Sequence, residues 1–229
     1  MNAFSFSAIF ASVAVGTLLV ACNPSESPPA SGSVPAQPAG PEKSATSEKS
    51  DDRTPITPVV VEIRADGMGY LPGAAEPFTG EAITPFPDQP WLAKEKEPWR
   101  EGKRHGDKIV LFKNGTAKTL RRYESGIPKY AAAWHKNGRM KFELGLNAHD
   151  KGEGPYQRWY EDGTVESTAG FDAEERWHGE LKEWTRSGEL KTHHLFKHGI
   201  LVNIIFESPE SKVAREATGL TLTPEPAGQ

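Results

Sequence analysis

The chain is almost free of cysteine: Cys22 is the single one among 229 residues. An intrachain disulfide and a cysteine-based zinc site are therefore excluded. A strong charge of one sign is missing too. The formal net charge of −4 is too small to point to nucleic acid or to an acidic-substrate groove. Hydrophobic residues reach only 36%, below the globular norm, while Gly (22) and Pro (19) are both high. That balance predicts a modest folded part carrying a long unstructured attachment.

Chemical signatures are scarce. The sequence has no HExxH, no Gly-x-Ser-x-Gly elbow and no phosphate-cradling glycine loop. Ser187 stands in Arg186-Ser187-Gly188, where Ser is a turn former, and Glu174-Glu175 reads as solvated charge in a connector. A metal site needs three or four converging ligands. His193 and His194 are strand neighbours that face opposite ways, and His135, His149, His178 and His198 read as exposed sheet and turn residues. No catalytic residue, metal or cofactor is expected, and the chain is not read as an enzyme.

What is present begins at the N-terminus. Ala3 to Ala21 carries no charge and ends in Leu19-Val20-Ala21-Cys22, which resembles the lipobox cut by the lipoprotein signal peptidase. The resemblance implies that residues 1–21 are a signal peptide and that Cys22 becomes an acylated N-terminus. A retained membrane span and plain secretion are the alternatives, and Met1-Asn2 lacks the usual Lys or Arg. The cysteine at the end of the apolar run, in a chain that otherwise avoids cysteine, favours acylation. Two or three acyl chains, at about 0.8 kcal/mol per buried CH₂, would hold the protein permanently on the plasma or outer membrane, outside the cytoplasm. Residues 22–58 follow as a Pro- and Ser-rich tether that cannot bury enough apolar surface to order itself. A coil of that length reaches roughly 30–36 Å.

From Val59 the texture changes, and Val59 to Ile63 reads as a strand. Four turn glycines follow, in Asn114-Gly115, Asn137-Gly138, Asp162-Gly163 and Ser187-Gly188, spaced 23, 25 and 25 residues apart. Four residues before them stand Leu111, Trp134, Trp159 and Trp184; two after stand Ala117, Met140, Val165 and Leu190; eight after stand Tyr123, Leu146, Phe171 and Phe196. Asn-Gly and Asp-Gly predict type I′ hairpin turns. Even offsets then share one apolar face, and Lys118, Lys141, Glu166 and Lys191 fall on the solvated one. The tryptophan column reads as core, with an exposed platform for sugars or peptides as the alternative. The fold class that follows is all-β, a single-layer antiparallel meander of hairpin repeats over residues 59–206.

Gly-x4-Trp-x3-Gly, with Tyr123-x2-Gly126 and Phe196-x2-Gly199 in the return strand, resembles the bacterial variant of the MORN repeat. Asp66-Gly67-Met68-Gly69-Tyr70, Pro77-Phe78-Thr79-Gly80 and Glu101 to Gly106 are similar to the segments that open such arrays. Many members carry the label of YwqK-type antitoxins, but the family has no agreed active site. Thr84 to Trp99 departs from the pattern: its prolines Pro85, Pro87, Pro90 and Pro98 predict a loop or a decayed repeat. Lys129 also stands where the second repeat should have Gly. At the other end, Leu201 to Phe206 predicts a closing strand buried on both faces. Ser208-Pro209-Glu210 predicts an N-capped helix to about Ala217 that could cover the last edge, and a frayed tail from Thr218 completes the 207–229 segment.

Charge is polarised along the array. From Trp99 to Lys141 there are twelve Lys and Arg against three acids, and from Phe142 to Glu207 seven against thirteen. Lys118 and Arg122 are the candidate basic patch, which near an anionic leaflet would gain about 1 kcal/mol per charge. Ordinary solvated charge is the competing explanation. Taken together, the sequence predicts a membrane-tethered interaction module with a protein partner and no nucleic-acid partner. An antitoxin-like neutraliser and a carbohydrate- or peptidoglycan-binding lipoprotein are the alternatives. Cys22→Ser should abolish labelled-palmitate incorporation and release the protein from the membrane fraction; undiminished incorporation in the variant would refute the lipobox assignment.

Overall fold

A computed structural model describes residues 54–224. The signal segment, Cys22 and the tether up to residue 53 lie outside the described residues. Ile56 and Val59 already donate backbone hydrogen bonds to the Pro90 and Ile83 carbonyls, so the end of the tether engages the folded part.

Nearly all of the fold is antiparallel strand. A small ribbon pairs β1 (Glu62–Ile63) with β2 (Gly69–Tyr70). The strand expected over Val59 to Ile63 is thus only its last two residues. Then come β3 (Gly80–Phe86), β4 (Gln89–Arg100), β5 (Lys103–Arg104), β6 (Gly106–Leu111), β7 (Ala117–Glu124), β8 (Ile127–Trp134), β9 (Met140–Leu146), β10 (Gly152–Trp159), β11 (Val165–Phe171), β12 (Gly179–Trp184), β13 (Leu190–Lys197) and β14 (Ile200–Glu207). These twelve strands form one sheet, ordered along the chain from β3 to β14, with β5 a side partner of β4. Helix α1 (Pro209–Ala217) follows, with Ser208 Oγ accepting from the Ser211 N–H as N-cap and Pro209 in the first turn. The all-β meander read from the sequence is the fold.

The four glycine turns share one geometry, and it is not type I′. In each, the glycine N–H donates back three residues: Gly115 to Phe112, Gly138 to His135, Gly163 to Tyr160 and Gly188 to Thr185. In each, too, the amide three before the glycine donates to the carbonyl one after it, as His135 does to Arg139 at 2.8 Å. Only the glycine has positive φ; Asn114, Asn137, Asp162 and Ser187 do not. This is the type I turn followed by a left-handed glycine bulge. The Asn side chains serve another purpose: Asn137 Oδ1 accepts from the Arg139 N–H at 3.0 Å, and its Nδ2 donates to the Glu161 carbonyl of the next turn at 2.7 Å. Type I′ turns occur at the opposite sheet end, where both residues of Glu101-Gly102, Ser125-Gly126 and His198-Gly199 have positive φ.

A second irregularity sets the faces. In every repeat the residue four before the glycine pairs with the residue two after it, as in Trp134↔Met140 and Trp159↔Val165, and the register then shifts by one. The bulge inverts the in/out parity of the return strand. The expectation of one shared apolar face is therefore corrected: the tryptophan column and the column eight after the glycine lie on opposite faces. On the tryptophan face, Leu120, Ala132, Trp134, Met140 and Trp159 form the core cluster. On the other, Leu144, Leu146, Ser167, Thr192, His194 and Phe196 are buried. Close backbone approach accompanies the β9–β10 and β11–β12 connectors, which are longer than the one between β7 and β8; a Cβ at Gly145 would stand 2.4 Å from the Glu153 carbonyl oxygen.

Two end elements also differ from expectation. Thr84 to Trp99 lies in a full hairpin, β3–β4, with register shifts at Pro85, which overturns the loop and leaves the irregular repeat. Its prolines are tolerated because β3 is an outer strand, the register breaks at Pro85, and Pro98 falls between the β6 and β5 pairings of β4. The closing strand β14 buries Leu201 but leaves Ile205 and Phe206 exposed at 51% and 43%, because no further repeat covers it. Helix α1 has no buried residue and meets β14 through Arg215 and Glu207, and the tail adds one bond, Thr223 N–H donating to Leu201 O at 2.8 Å.

Trp134 and Trp159 are each 5% exposed, whereas Trp184 is only half-buried. The column is core at its centre. Trp159→Ala should cost about 3–5 kcal/mol, a large share of a total of roughly 5–15, and Trp184→Ala distinctly less. Thermal melts of the chain lacking residues 1–21 measure both; a Trp159→Ala protein within about 0.5 kcal/mol of the parent would contradict this packing.

Candidate functional site

The run Tyr130-Ala131-Ala132-Ala133-Trp134 is where side-chain volume is missing. Seven residues before the turn glycine the other repeats carry Lys108, Tyr156 and Leu181, while the second has Ala131. Ala131 is flanked in register by Arg121 on β7 and Leu144 on β9. The missing volume opens a groove of about 420 Å³ on the face opposite the core tryptophans, walled by Val110, Thr119, Phe142, Leu144 and Leu146. Its surface is mainly apolar carbon, with a charged rim of Lys108, Arg121, Asp150 and Glu175.

The rim is electrostatically ordered. Arg121 Nη1 donates to Asp150 Oδ2 at 2.7 Å, reaching from β7 to the β9–β10 turn. Lys108 Nζ lies 2.7 Å from Glu95 Oε1 and 3.1 Å from Glu97 Oε1. Burial pulls the Lys108 ammonium down, but its two carboxylate partners outweigh that and hold it above its ordinary value. Glu175 Oε1 accepts from the Gly152 N–H at 3.2 Å. Lys108 thus carries carboxylates of β4 with it on the β6 side, and Arg121 spans from β7 to the connector turn.

The expected basic patch lies elsewhere. Arg122 is held bidentately by Asp107, at 2.7 and 2.9 Å, and Lys118 stands 5.9 Å over the Phe112 ring. Arg122 pairs in register with Tyr130, on the tryptophan face. Much of the basic block is met by acids from outside it: Arg104 by Glu97, Lys108 by Glu95 and Glu97, Lys113 by Asp88 and Arg121 by Asp150. The polarity counted along the chain is thus reduced in space.

Two polar clusters were not apparent in the sequence. At the last edge His194 Nε2 lies 3.0 Å from Glu207 Oε1, which also receives Arg215 Nε at 2.9 Å, tying α1 to β14. Burial holds His194 below its ordinary value against the pull of Glu207. At the connector end Asp172, His178 and His198 place one ligand atom each within 4.8 Å of one another. Burial raises the Asp172 carboxyl, but hydrogen bonds from Arg176 and His198 prevail and keep it well below the usual carboxylate range. Sequence spacing separates these residues by up to 26 positions, and the pairing of β12 with β13, through Gly179↔Phe196, is what brings the β11–β12 connector against the β13–β14 turn.

The groove makes a contrast in tolerance. Ala131→Leu should fill open space and leave the melting point within a few degrees of the parent. Ala133→Leu, at a position 5% exposed between Thr119 and Phe142, should cost about 1–3 kcal/mol by overpacking. Parallel melts compare them; equal, large losses would mean that the groove is not open.

Comparisons with known proteins assign no family. No family model matches the chain, and no curated protein matches it. Among solved structures, one chain of a GtfA/B complex bound to UDP and GlcNAc aligns at 11% identity with a TM-score of 0.27. The alignment covers 51% of this chain and 26% of that one, so the protein spans about a quarter of the length it matches. A likeness of that size carries no argument about fold or activity.

Proposed function

We propose that the protein is a non-catalytic, lipid-anchored interaction module of the cell envelope, held through acylated Cys22, whose groove at Ala131 receives a segment of a protein partner. The carrying observation is the 420 Å³ apolar groove, cut by small residues into an otherwise filled face and rimmed by Lys108, Arg121, Asp150 and Glu175. An aliphatic or aromatic anchor side chain fits its lining, as in the small hot-spot pockets of protein interfaces. The rim adds charge around the anchor: the ion pairs of Lys108 with Glu95 and Glu97 and of Arg121 with Asp150 frame the groove and would orient polar groups of the partner. The resemblance of the hairpin repeats to the MORN variant supports a repeat scaffold rather than an enzyme. The Pro- and Ser-rich tether supports presentation at a distance from the headgroups.

A photo-crosslinking residue at Thr119, in the groove wall, tests this in cells. The expected result is one discrete adduct with an envelope protein, lost when Ala131→Leu fills the groove and lost when Cys22→Ser removes the anchor. An adduct insensitive to Ala131→Leu, or none at all, would overturn the groove as the docking site.

A further inference from the structure

We propose that Asp172, His178 and His198 form a binding site for a late first-row divalent cation of the zinc class. This site is separate from the groove and does not depend on the interaction reading. Three chain segments supply the donors. Asp172 follows β11 and opens the Asp172–Arg176 turn, its Oδ1 accepting from the Glu174 and Arg176 N–H groups at 3.1 and 3.0 Å. His178 precedes β12, positioned by its N–H donating to Gly170 O at 2.9 Å. His198 occupies the β13–β14 turn at φ 48°, where Gly199 N–H donates to Trp177 O at 2.8 Å. Backbone bonds thus fix all three positions, while both imidazoles remain exposed and free to adjust.

The donor set selects the ion. Two imidazoles and one carboxylate suit zinc and its neighbours, whereas calcium and magnesium require mainly oxygen ligands. Asp172 Oδ2 and His198 Nδ1 are 2.8 Å apart, and the His178 and His198 ring centroids 4.8 Å apart. Donors on one tetrahedral zinc lie about 3.3 Å from each other, given bonds of roughly 2.0–2.1 Å. The three donor atoms lie within 4.8 Å of one another, so the widest pair needs to close by up to about 1.5 Å while the Asp172–His198 contact opens by about 0.5 Å, leaving a fourth position for water. At the Asp172–His198 contact the cation takes the place of the shared hydrogen, which passes to the other ring nitrogen or to solvent.

Arg176 is the built-in competitor. Its Nε donates to Asp172 Oδ2 at 2.9 Å, and its Nη2 lies 2.9 Å from Glu174 Oε2 and 3.2 Å from His198 Nδ1. The guanidinium therefore neutralises the carboxylate when the cation is absent, and it can stay on Glu174 when the cation enters. That arrangement separates a metal site from a mere turn clamp. For a clamp Arg176 is indispensable, but for a cation it is an obstacle.

The test is calorimetric titration of zinc into the full chain with the Cys22 thiol alkylated, at pH 7.5 and pH 5.5. Expected is one equivalent bound, weakened about tenfold or more by His178→Gln and by His198→Asn. Asn is chosen because it tolerates the left-handed turn position. Arg176→Gln should tighten binding, and the lower pH should weaken it, since protons compete with a metal for its ligands. Melting points of the variants show that the fold persists. No saturable binding, or equal binding by the His178→Gln/His198→Asn double variant, would overturn the site. So would an Arg176→Gln protein that keeps its melting point and binds zinc more weakly.

Discussion

In each repeat the residue four before the turn glycine pairs directly with the residue two after it, and one extra residue follows in the return strand. The pair brings an aromatic or aliphatic side chain against a smaller apolar one beside the turn, as Trp134 meets Met140. The extra residue then reverses which side chains point to which face. Without it, the columns two, six and eight after the glycine would all crowd the tryptophan face and leave the other bare. With it, a single layer of hairpins carries apolar residues on both faces. The Trp134–Trp159 cluster lies on one side and the Leu144–Leu146 surface on the other.

Stacking such hairpins requires their turns to be satisfied as well as their strands. At the glycine end the Asn side chains close their own turn and reach the carbonyl of the next, from Asn114 to Lys136 and from Asn137 to Glu161. Asp162 lacks that donor, and there Arg186 approaches its carboxylate at 3.6 Å instead. At the connector end Asn147 Nδ2 performs the same link to Ala173 O at 2.8 Å, and His198 to Asp172 at 2.8 Å. Each bond contributes modestly by itself. Their recurrence joins each repeat to its neighbour, as nearest-neighbour coupling in a repeat array requires.

The groove and the histidine cluster come from departures within this regular frame. Ala131 is small where the other repeats are large, so volume is lost at one place on one face. The longer connectors put Asp150 and Glu175 into the left-handed turn position, at φ 63° and 64°. These same turns supply the acidic rim of the groove. The Asp172–Arg176 turn serves both features, with Glu175 facing the groove and Asp172 facing the histidines.

The four glycine-turn hairpins, the antiparallel meander and the N-cap at Ser208 were legible in the sequence, because each depends on residues within about ten positions of one another. Trp134, Trp159 and Trp184 in register announced the repeat, and Gly115, Gly138, Gly163 and Gly188 announced the turns. The turn type was not legible, since Asn-Gly serves both type I′ and the glycine-bulge geometry, and the choice depends on strand twist and the neighbouring turn. Face assignment failed for a related reason: the extra residue is set by cross-strand pairing, and periodicity counted along one strand cannot register it. Proline in β3 and β4 looked like a break because only the sheet shows that β3 has an outer edge and that Pro98 falls between two ladders. Ion pairs such as Arg121–Asp150, 29 positions apart, and the meeting of Asp172 with His198, 26 apart, belong wholly to the tertiary structure. Local sequence determined where the chain turns and which residues repeat; the packing of one hairpin on the next decided what those residues face.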